Sequence, residues 1–569
     1  MCGIAGVVYF DGHNPSSTIE KMLKEQKHRG PTTSQSISIK NIAIGSVRLS
    51  MRDVDNKDAI FFNEKRDIVV VYNGEIYNYL CLKNFLIKNG HSFATENDAE
   101  IIPHLYEMYG RNFVQYLDGM FAFCLIDMRS KFPKIILGRD HFGVKPLYYY
   151  KDASSFVFAS EIKPILTIVP KQKLDEKAIS SYLKYRFVAN PLTPFKNIKK
   201  VKPSSIIIFR EKLISRKYFP STKYVHNYNN VFNILKKSVE QNTEADVKLG
   251  CFLSGGLDSS IISCLMTKFI KRIPSFTIQY ENFLLNELEY ANLVSQSYKN
   301  IISNYVCVNS KTDLVNVIEK IVLALEEPIY STVTVATYLL SQQAKKQVSG
   351  VLTGDGSDEL FMSYQYLKKS FASKIPLECY KKNIGWLSNN VKHFLFYDQN
   401  IFNKIKLLRE TKNIINTFRD FELKYRLSDY HLLRVDKLTM ANSIEARVPF
   451  LCTNLLYFTN KLDLKKILMS KNEKEELKRA FYKLLPKDIC CRKKQPFSSP
   501  YQHWIDNELK SDIIQTFSNQ KFCKIFKIRF ENLLFLINKK DKNYFDYTAI
   551  WGIYILFKWL KRYEKYLFF

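Results

Sequence analysis

Apolar positions in the first two hundred residues fall in short runs at 3–10, 42–47, 67–72, 120–126, 134–138, 147–150 and 155–159. Runs of this length suit β-strands, and Asp11-Gly12 turns the chain after the first of them. Three stretches carry helical spacing instead: 17–28, with apolar Ile19, Met22 and Leu23, and the segments 79–88 and 99–109. Many strands with few crossovers predict stacked antiparallel sheets with helices outside. After the basic stretch 199–203 come one more strand pair and a polar stretch, 220–229, rich in Tyr and Asn. We place the first domain at 1–205, a connecting segment at 206–229 and the second domain at 230–569. Beyond 230 the period alternates. Helices are predicted at 230–241, 258–270, 287–297, 311–325 and 333–346, and strands at 247–253, 274–279, 303–307 and 349–353. Strand alternating with helix predicts a parallel sheet covered on both faces. From 357 onward the chain reads as mostly helical and lysine-rich.

Length agrees with this division, since 569 residues exceed what one hydrophobic core supports. A 46% hydrophobic and 25% charged composition excludes disordered, collagenous and repeat-dominated chains. The net charge of +30 favours anionic partners, yet there is no Arg-rich tail and no regular spacing of zinc-finger ligands, so a nucleic-acid partner is not expected. Eleven cysteines at irregular spacing, with no CxxC pair, fit a reducing compartment, and we expect a cytoplasmic protein. The longest apolar stretch near the end, 547–557, is shorter than the roughly 18 residues of a membrane span. It predicts a buried helix with Trp551 and Trp559 facing the core.

Two constellations carry chemistry. Cys2, once Met1 is removed, would place a thiol and an α-amine on one residue. An amine with a pKa of about 8 can accept the thiol proton at neutral pH, so nucleophile and base come together. Amide hydrolysis also needs donors for a tetrahedral oxyanion, and the Asn73 side chain and the Gly74 backbone can supply them. Arg48 offers a fork for a carboxylate, and Asp98 a partner for an ammonium. Taken singly, each feature has a plainer reading: a small apolar Cys, a hairpin turn at Asn73-Gly74.

The second constellation follows a predicted strand: Ser254-Gly255-Gly256-Leu257-Asp258-Ser259 opens a helix. Free N–H groups at such a turn form an anion site. The Lys-Ser/Thr pair of a nucleoside-triphosphatase loop and the GxGxxG spacing of a dinucleotide fingerprint are both missing. A carboxylate beside an anion site is repulsive unless a cation lies between them, so Asp258 implies one. A second acidic loop, Thr353-Gly354-Asp355-Gly356-Ser357-Asp358-Glu359, follows the last predicted strand and would reach the same sheet edge. Asp258 and Asp358 could then share one Mg²⁺. Lys474 is a candidate cation, although by sequence alone it reads as an ordinary solvated lysine.

The residues Met1-Cys2-Gly3-Ile4-Ala5-Gly6, His28-Arg29-Gly30-Pro31, Arg48-Leu49-Ser50, Tyr72-Asn73-Gly74-Glu75-Ile76-Tyr77-Asn78, Asp98 with Glu100, and Gly138-Arg139-Asp140 resemble N-terminal-nucleophile glutamine amidotransferases. The loops at 254–259 and 354–359, Glu445-Ala446-Arg447-Val448-Pro449-Phe450 and Lys474 resemble the glutamine-hydrolysing asparagine synthetases. The resemblance implies an α+β first domain of four αββα layers and an α/β second domain with a parallel sheet and additional helices. It also implies a residue assignment: Cys2 as nucleophile, Asn73 and Gly74 as oxyanion hole, Arg48 on the glutamine α-carboxylate, Glu75 and Asp98 on its α-amine. Leu253, Ile278 and Gly354 would contact adenosine, while Ser254, Gly255, Gly256, Asp258, Ser259 and Lys474 would hold pyrophosphate with Mg²⁺ on Asp258 and Asp358. Asp355 would take a proton from the attacking ammonia. Substrates would be glutamine, aspartate and ATP, with ammonia crossing an internal channel, and the family suggests a homodimer. Several departures bear on the acceptor: Glu326-Glu327-Pro328-Ile329-Tyr330 for an Asp-Pro segment, Met362-Ser363 for glycines, Lys437 for Arg and Cys452 for Asp. An amidotransferase acting on another carboxylate is therefore the alternative.

Overall fold

The computed structural model describes residues 2–210, 212–221, 230–281, 287–408, 411–470, 472–492, 495 and 499–569. Two six-stranded antiparallel sheets lie face to face in the first domain. One runs in the order Ile198–Lys200, Tyr148–Lys151, Ser155–Ala159, Cys2–Tyr9, Ile42–Arg48 and Thr33–Ile39; the other in the order Leu213–Lys217, Ser205–Phe209, Lys134–Arg139, Gly119–Asp127, Ile68–Ile76 and Phe61–Phe62. The strand Ile68–Ile76 shows why its apolar run is continuous. Val69 and Val71 enter the layer between the sheets, with Ile4, Ile44, Ala122 and Leu137. Ile68, Val70 and Tyr72 pack on the other side with residues of the helices Tyr79–Lys88 and Ile101–Tyr109. The first sheet is covered in the same way by Ile19, Met22 and Leu23 of helix Ser16–Glu25. With both faces of each sheet covered, four αββα layers result.

The strand Ser205–Phe209 pairs with Lys134–Arg139 on one side and with Leu213–Lys217 on the other, so both strands belong to the second sheet. The connecting segment therefore does not start at 206: Ile206 fills the helix-side core and Ile207 the inter-sheet core. Most of its polar part, 222–229, lies outside the described residues. The strand Thr33–Ile39 was not predicted, because an edge strand with alternating exposure leaves little apolar signal in TSQSISI.

The second domain is built on a parallel sheet in the order Ile301–Val308, Ile273–Tyr280, Leu249–Phe252, Gly350–Leu352 and Glu445–Arg447. Four of these strands match the predicted ones. The fifth, Glu445–Arg447, is three residues long and bears two charges, which no apolar pattern reveals. Strand order reverses at Leu249–Phe252, and such a reversal opens a ligand crevice at the carboxyl edge. The helix Tyr544–Tyr563 buries Trp551 and Trp559 completely. It is joined to the first domain by the Tyr182 hydroxyl, which donates to the Gly552 carbonyl at 2.7 Å. Among the described residues no helix is long and apolar enough to cross a membrane.

Candidate active sites

The two constellations form two sites. In the first, the strand Cys2–Tyr9 places Cys2 opposite Arg48 and beside Asn73, whose Oδ1 accepts from the Cys2 backbone nitrogen at 3.1 Å. The Asn73 Nδ2 is buried without a hydrogen-bond partner. A buried donor left unpaired costs about 1–3 kcal/mol, so a site that keeps one beside a thiol has a donor ready for a developing oxyanion. Gly74 is required by packing: a Cβ there would lie 2.1 Å from the Met120 carbonyl oxygen. The Cys2 carbonyl accepts from Arg29 Nε at 3.2 Å.

Glu75 and Asp98 lie buried at this site. Asp98 Oδ2 accepts from the Ile76 amide at 2.7 Å and the Tyr72 hydroxyl at 3.1 Å. Burial raises the pKa of Glu75, with Arg447 opposing and Asp98 adding to the rise. Burial raises that of Asp98 too, against the pull of Arg52. Two neighbouring acids held in this way are stabilised in charged form by an added cation. Arg48 is placed differently from the expectation. Its Nη1 donates to the carbonyls of Asn56 and Asp58, and its Nη2 to those of Arg52 and Asp53, at 2.6 to 3.0 Å. A guanidinium whose terminal nitrogens each serve two carbonyls fixes the loop 52–58 and presents no free fork. Two cations reach Glu75 instead: Arg447 Nη2 at 3.2 Å from Oε1, and Arg52 Nε at 3.9 Å from Oε2.

The second site lies where the parallel sheet reverses. Around a cavity of about 920 Å³ stand Leu253, Ser254, Gly256, Asp258, Ser259, Ile278, Gly354, Asp355, Asp358 and Lys474. Gly255 does not line it. That residue makes the turn instead, at φ +67°, where a Cβ would meet the Tyr290 and Ala291 backbone at 2.5 Å. Ser259 Oγ closes the loop, accepting from the Ser254 amide at 3.3 Å and donating to the Gly256 carbonyl at 3.1 Å. Lys474 is no solvated lysine: its Nζ sits 2.5 Å from Asp258 Oδ2 and 2.6 Å from Asp358 Oδ1. Burial works against its charge, but the two carboxylates hold its pKa above the ordinary lysine range. Asp355 accepts from the Thr353 hydroxyl at 2.8 Å, and burial raises its pKa against the pull of Arg434, 3.8 Å away.

Family models agree with this division of labour. A model described as glutamine amidotransferase domain matches residues 1–220, and one described as asparagine synthase matches residues 230–561. The chain belongs to the glutamine-hydrolysing asparagine synthetase family. It is an enzyme, a ligase with a fused amidotransferase domain. Asparagine synthetase 1 of Bacillus subtilis is 28% identical over 568 residues, covering 90% of this chain and 88% of that protein. An asparagine synthetase of Zea mays is 29% identical over 544 residues, covering 90% and 80% respectively.

Sequence reading missed the side chains on the far wall of the enzyme's cavity: Arg426, Tyr430, His431 and Arg434, from the π-helical stretch Glu422–Leu432 and the helix Leu433–Met440 that continues it. Locally their signal is that of an amphipathic helix; a π-helical winding, often found at functional sites, emerges only in three dimensions. It also assigned Glu326 and Glu327 to the acceptor region. Both are buried at the domain boundary instead. Glu326 takes the amides of Ile162 and Lys163 at 2.8 and 2.7 Å and pairs with Lys437; Glu327 pairs with Lys200 at 2.6 Å.

Proposed function

We propose that this enzyme makes asparagine from aspartate, glutamine and ATP in two linked steps. At the first site Cys2 Sγ attacks the glutamine carboxamide, its proton passing to the α-amine exposed when Met1 is removed. The oxyanion is received by Asn73 Nδ2 and the Gly74 amide, ammonia leaves, and water releases glutamate from the thioester. The α-ammonium of glutamine rests on Glu75 and Asp98, and the loop pinned by Arg48 carries Arg52 to the same place. Arg52, rather than Arg48, is then the cation within reach of the α-carboxylate.

At the second site an aspartate side-chain oxygen attacks the α-phosphorus of ATP and pyrophosphate leaves. Ammonia then displaces AMP from the acyl-adenylate, giving asparagine. Leu253, Ile278 and Gly354 form the adenosine wall. The turn at 254–259 and Lys474 take the pyrophosphate. Asp258 and Asp358 converge on one point, now occupied by the Lys474 ammonium, and paired hard oxygen donors of this kind suit Mg²⁺. When bound there, Mg²⁺ supplies charge neutralisation for phosphate oxygens. Asp355, whose raised pKa makes it a stronger base than a surface carboxylate, accepts the proton that ammonia loses on attack.

The observation that carries this reading is the link between the sites. Arg434 and Val435 line the ATP cavity, and the next residue, Asp436, accepts from Arg29 Nη2 at 2.8 Å while Arg29 holds the Cys2 carbonyl. A short chain of contacts thus runs from the cavity wall to the Cys2 carbonyl, which supports internal transfer of ammonia as the uncharged molecule. Ammonia released to water becomes mostly ammonium, which cannot attack a carbonyl. An ATP–pyrophosphate exchange screen over carboxylic acids tests the acceptor: exchange should depend on aspartate. Exchange driven only by some other acid would move the enzyme to the alternative reading, an amidotransferase on that acid.

A further inference from the structure

Away from both reaction centres, on the helix-covered face of the second sheet, three segments bring Glu64, His91 and His104 together. Glu64 follows the strand Phe61–Phe62, His91 follows the helix Tyr79–Lys88, and His104 lies in the helix Ile101–Tyr109. The His91 Nδ1 is 3.2 Å from Glu64 Oε1, and the His104 Nδ1 is 3.3 Å from Glu64 Oε2. One ligand atom from each of the three residues lies within 4.8 Å of the other two. Zinc bound at about 2.0–2.1 Å by nitrogen and oxygen in a tetrahedron has ligand atoms about 3.3 Å apart, and each histidine Nδ1 stands at that distance from its nearer Glu64 oxygen, Oε1 for His91 and Oε2 for His104.

The burial of His104 points to a ligand independently. Its side chain is fully buried and neither ring nitrogen has a hydrogen-bond partner. Buried ring nitrogens that face carboxylates at 3.3 and 3.9 Å without a well-formed hydrogen bond are costly, and a cation between Nδ1 and Glu64 would remove that cost. Its other nitrogen, Nε2, faces Glu100 Oε1 at 3.9 Å. A carboxylate behind the far nitrogen is the arrangement that orients metal-bound histidines. Phe93 packs against the His104 ring at 4.5 Å between centroids and shields it. Glu64 keeps its side chain about one-third exposed, leaving solvent access for a water as fourth ligand.

We propose that Glu64, His91 and His104 form a binding site for a zinc-class divalent cation. Imidazole nitrogens with a single carboxylate suit zinc better than magnesium or calcium, which prefer all-oxygen shells. The site is structural. Glu100 accepts from the amides of Ala94 and Thr95, so an ion that orders His104 and Glu100 also orders the loop entering Asp98, on which the glutamine ammonium would rest.

The test uses the full-length chain with Cys2→Ala to remove a competing thiol, stripped of metal and kept in excess Mg²⁺. Zn²⁺ is titrated by calorimetry, and Co²⁺ is followed through the absorption bands of tetrahedral coordination. One tight equivalent and a Zn²⁺-dependent rise in Tm are expected. His91→Gln and Glu64→Gln, placed in the same chain, should each weaken binding by at least about tenfold and abolish the Tm rise and the cobalt bands. These positions are chosen because replacing the buried His104 could unfold the domain. Absence of the equivalent in the parent, or its retention with the same Tm rise in both variants, overturns the site.

Discussion

Asn73 divides its amide between two tasks, and the unpaired half predicts the effect of its removal. With Oδ1 on the Cys2 nitrogen and Nδ2 unpaired, Asn73→Ala should lower the glutaminase kcat by about 10²–10³, the usual loss for one oxyanion donor. Ammonia-dependent synthesis should be retained, as it should in Cys2→Ala; equal loss of both activities would contradict separate sites. The neighbouring acids predict a pH dependence. Burial raises the pKa values of Glu75 and Asp98, so protons remain bound at a higher pH than on ordinary carboxylates. A protonated pair offers no charge to an ammonium, and the glutamine KM should therefore rise as pH falls through that raised range. A KM flat with pH in steady-state glutaminase assays would exclude these acids as the ammonium site. Lys474 marks the limit of reading residues one at a time. It is read as a solvated lysine from its neighbours in sequence, and only the folded chain shows it between two aspartates.

At the scale of elements, the turns at 254–259 and 354–359 function by mutual contact. A Cβ on Gly354 would lie 2.9 Å from the Asp258 Cβ and 3.0 Å from the Ser259 amide nitrogen. Gly354→Ala should therefore push the two turns apart and weaken ATP–pyrophosphate exchange, while glutamine hydrolysis at Cys2 stays intact. Loss of both activities together would mean that the substitution acts on the whole fold. These turns were legible because each is a contiguous chemical motif after an apolar strand. The strand Glu445–Arg447 was legible as a family motif but not as a strand, since its stability comes from pairing with Gly350–Leu352 and not from its own side chains.

Across the whole molecule, charge is buried where the domains meet. Asp436 accepts from Arg29 at 2.8 Å and lies 3.3 Å from Lys145, with all three side chains inaccessible or nearly so. Arg447 reaches back from the second domain to Glu75, 3.2 Å away. Removing one member of such a network leaves unpaired buried charge, at a cost of about 3–5 kcal/mol. Asp436→Ala should lose stability of that order by chemical denaturation. Because Asp436 stands between Val435 in the ATP cavity and Arg29 at Cys2, the variant should also release more than one glutamate per asparagine formed. A ratio unchanged at one would show that this network braces the interface without affecting transfer of ammonia.

The sequence by itself determined the layers and the chemistry within each loop. Strand and helix periods are properties of neighbouring residues, and the proposed nucleophile, oxyanion donors and phosphate turn each occupy a few consecutive positions. What only the tertiary structure decided involves residues distant in the chain: the strand pair 205–217 joining the first domain, Arg48 bound to the carbonyls of the loop 52–58, Lys474 between two aspartates, Asp436 paired with Arg29 across the domains, and Glu64, His91 and His104 brought together. No local pattern encodes such encounters, because burial and pairing are set by which strands and helices pack together, and a single residue carries no mark of a partner hundreds of positions away.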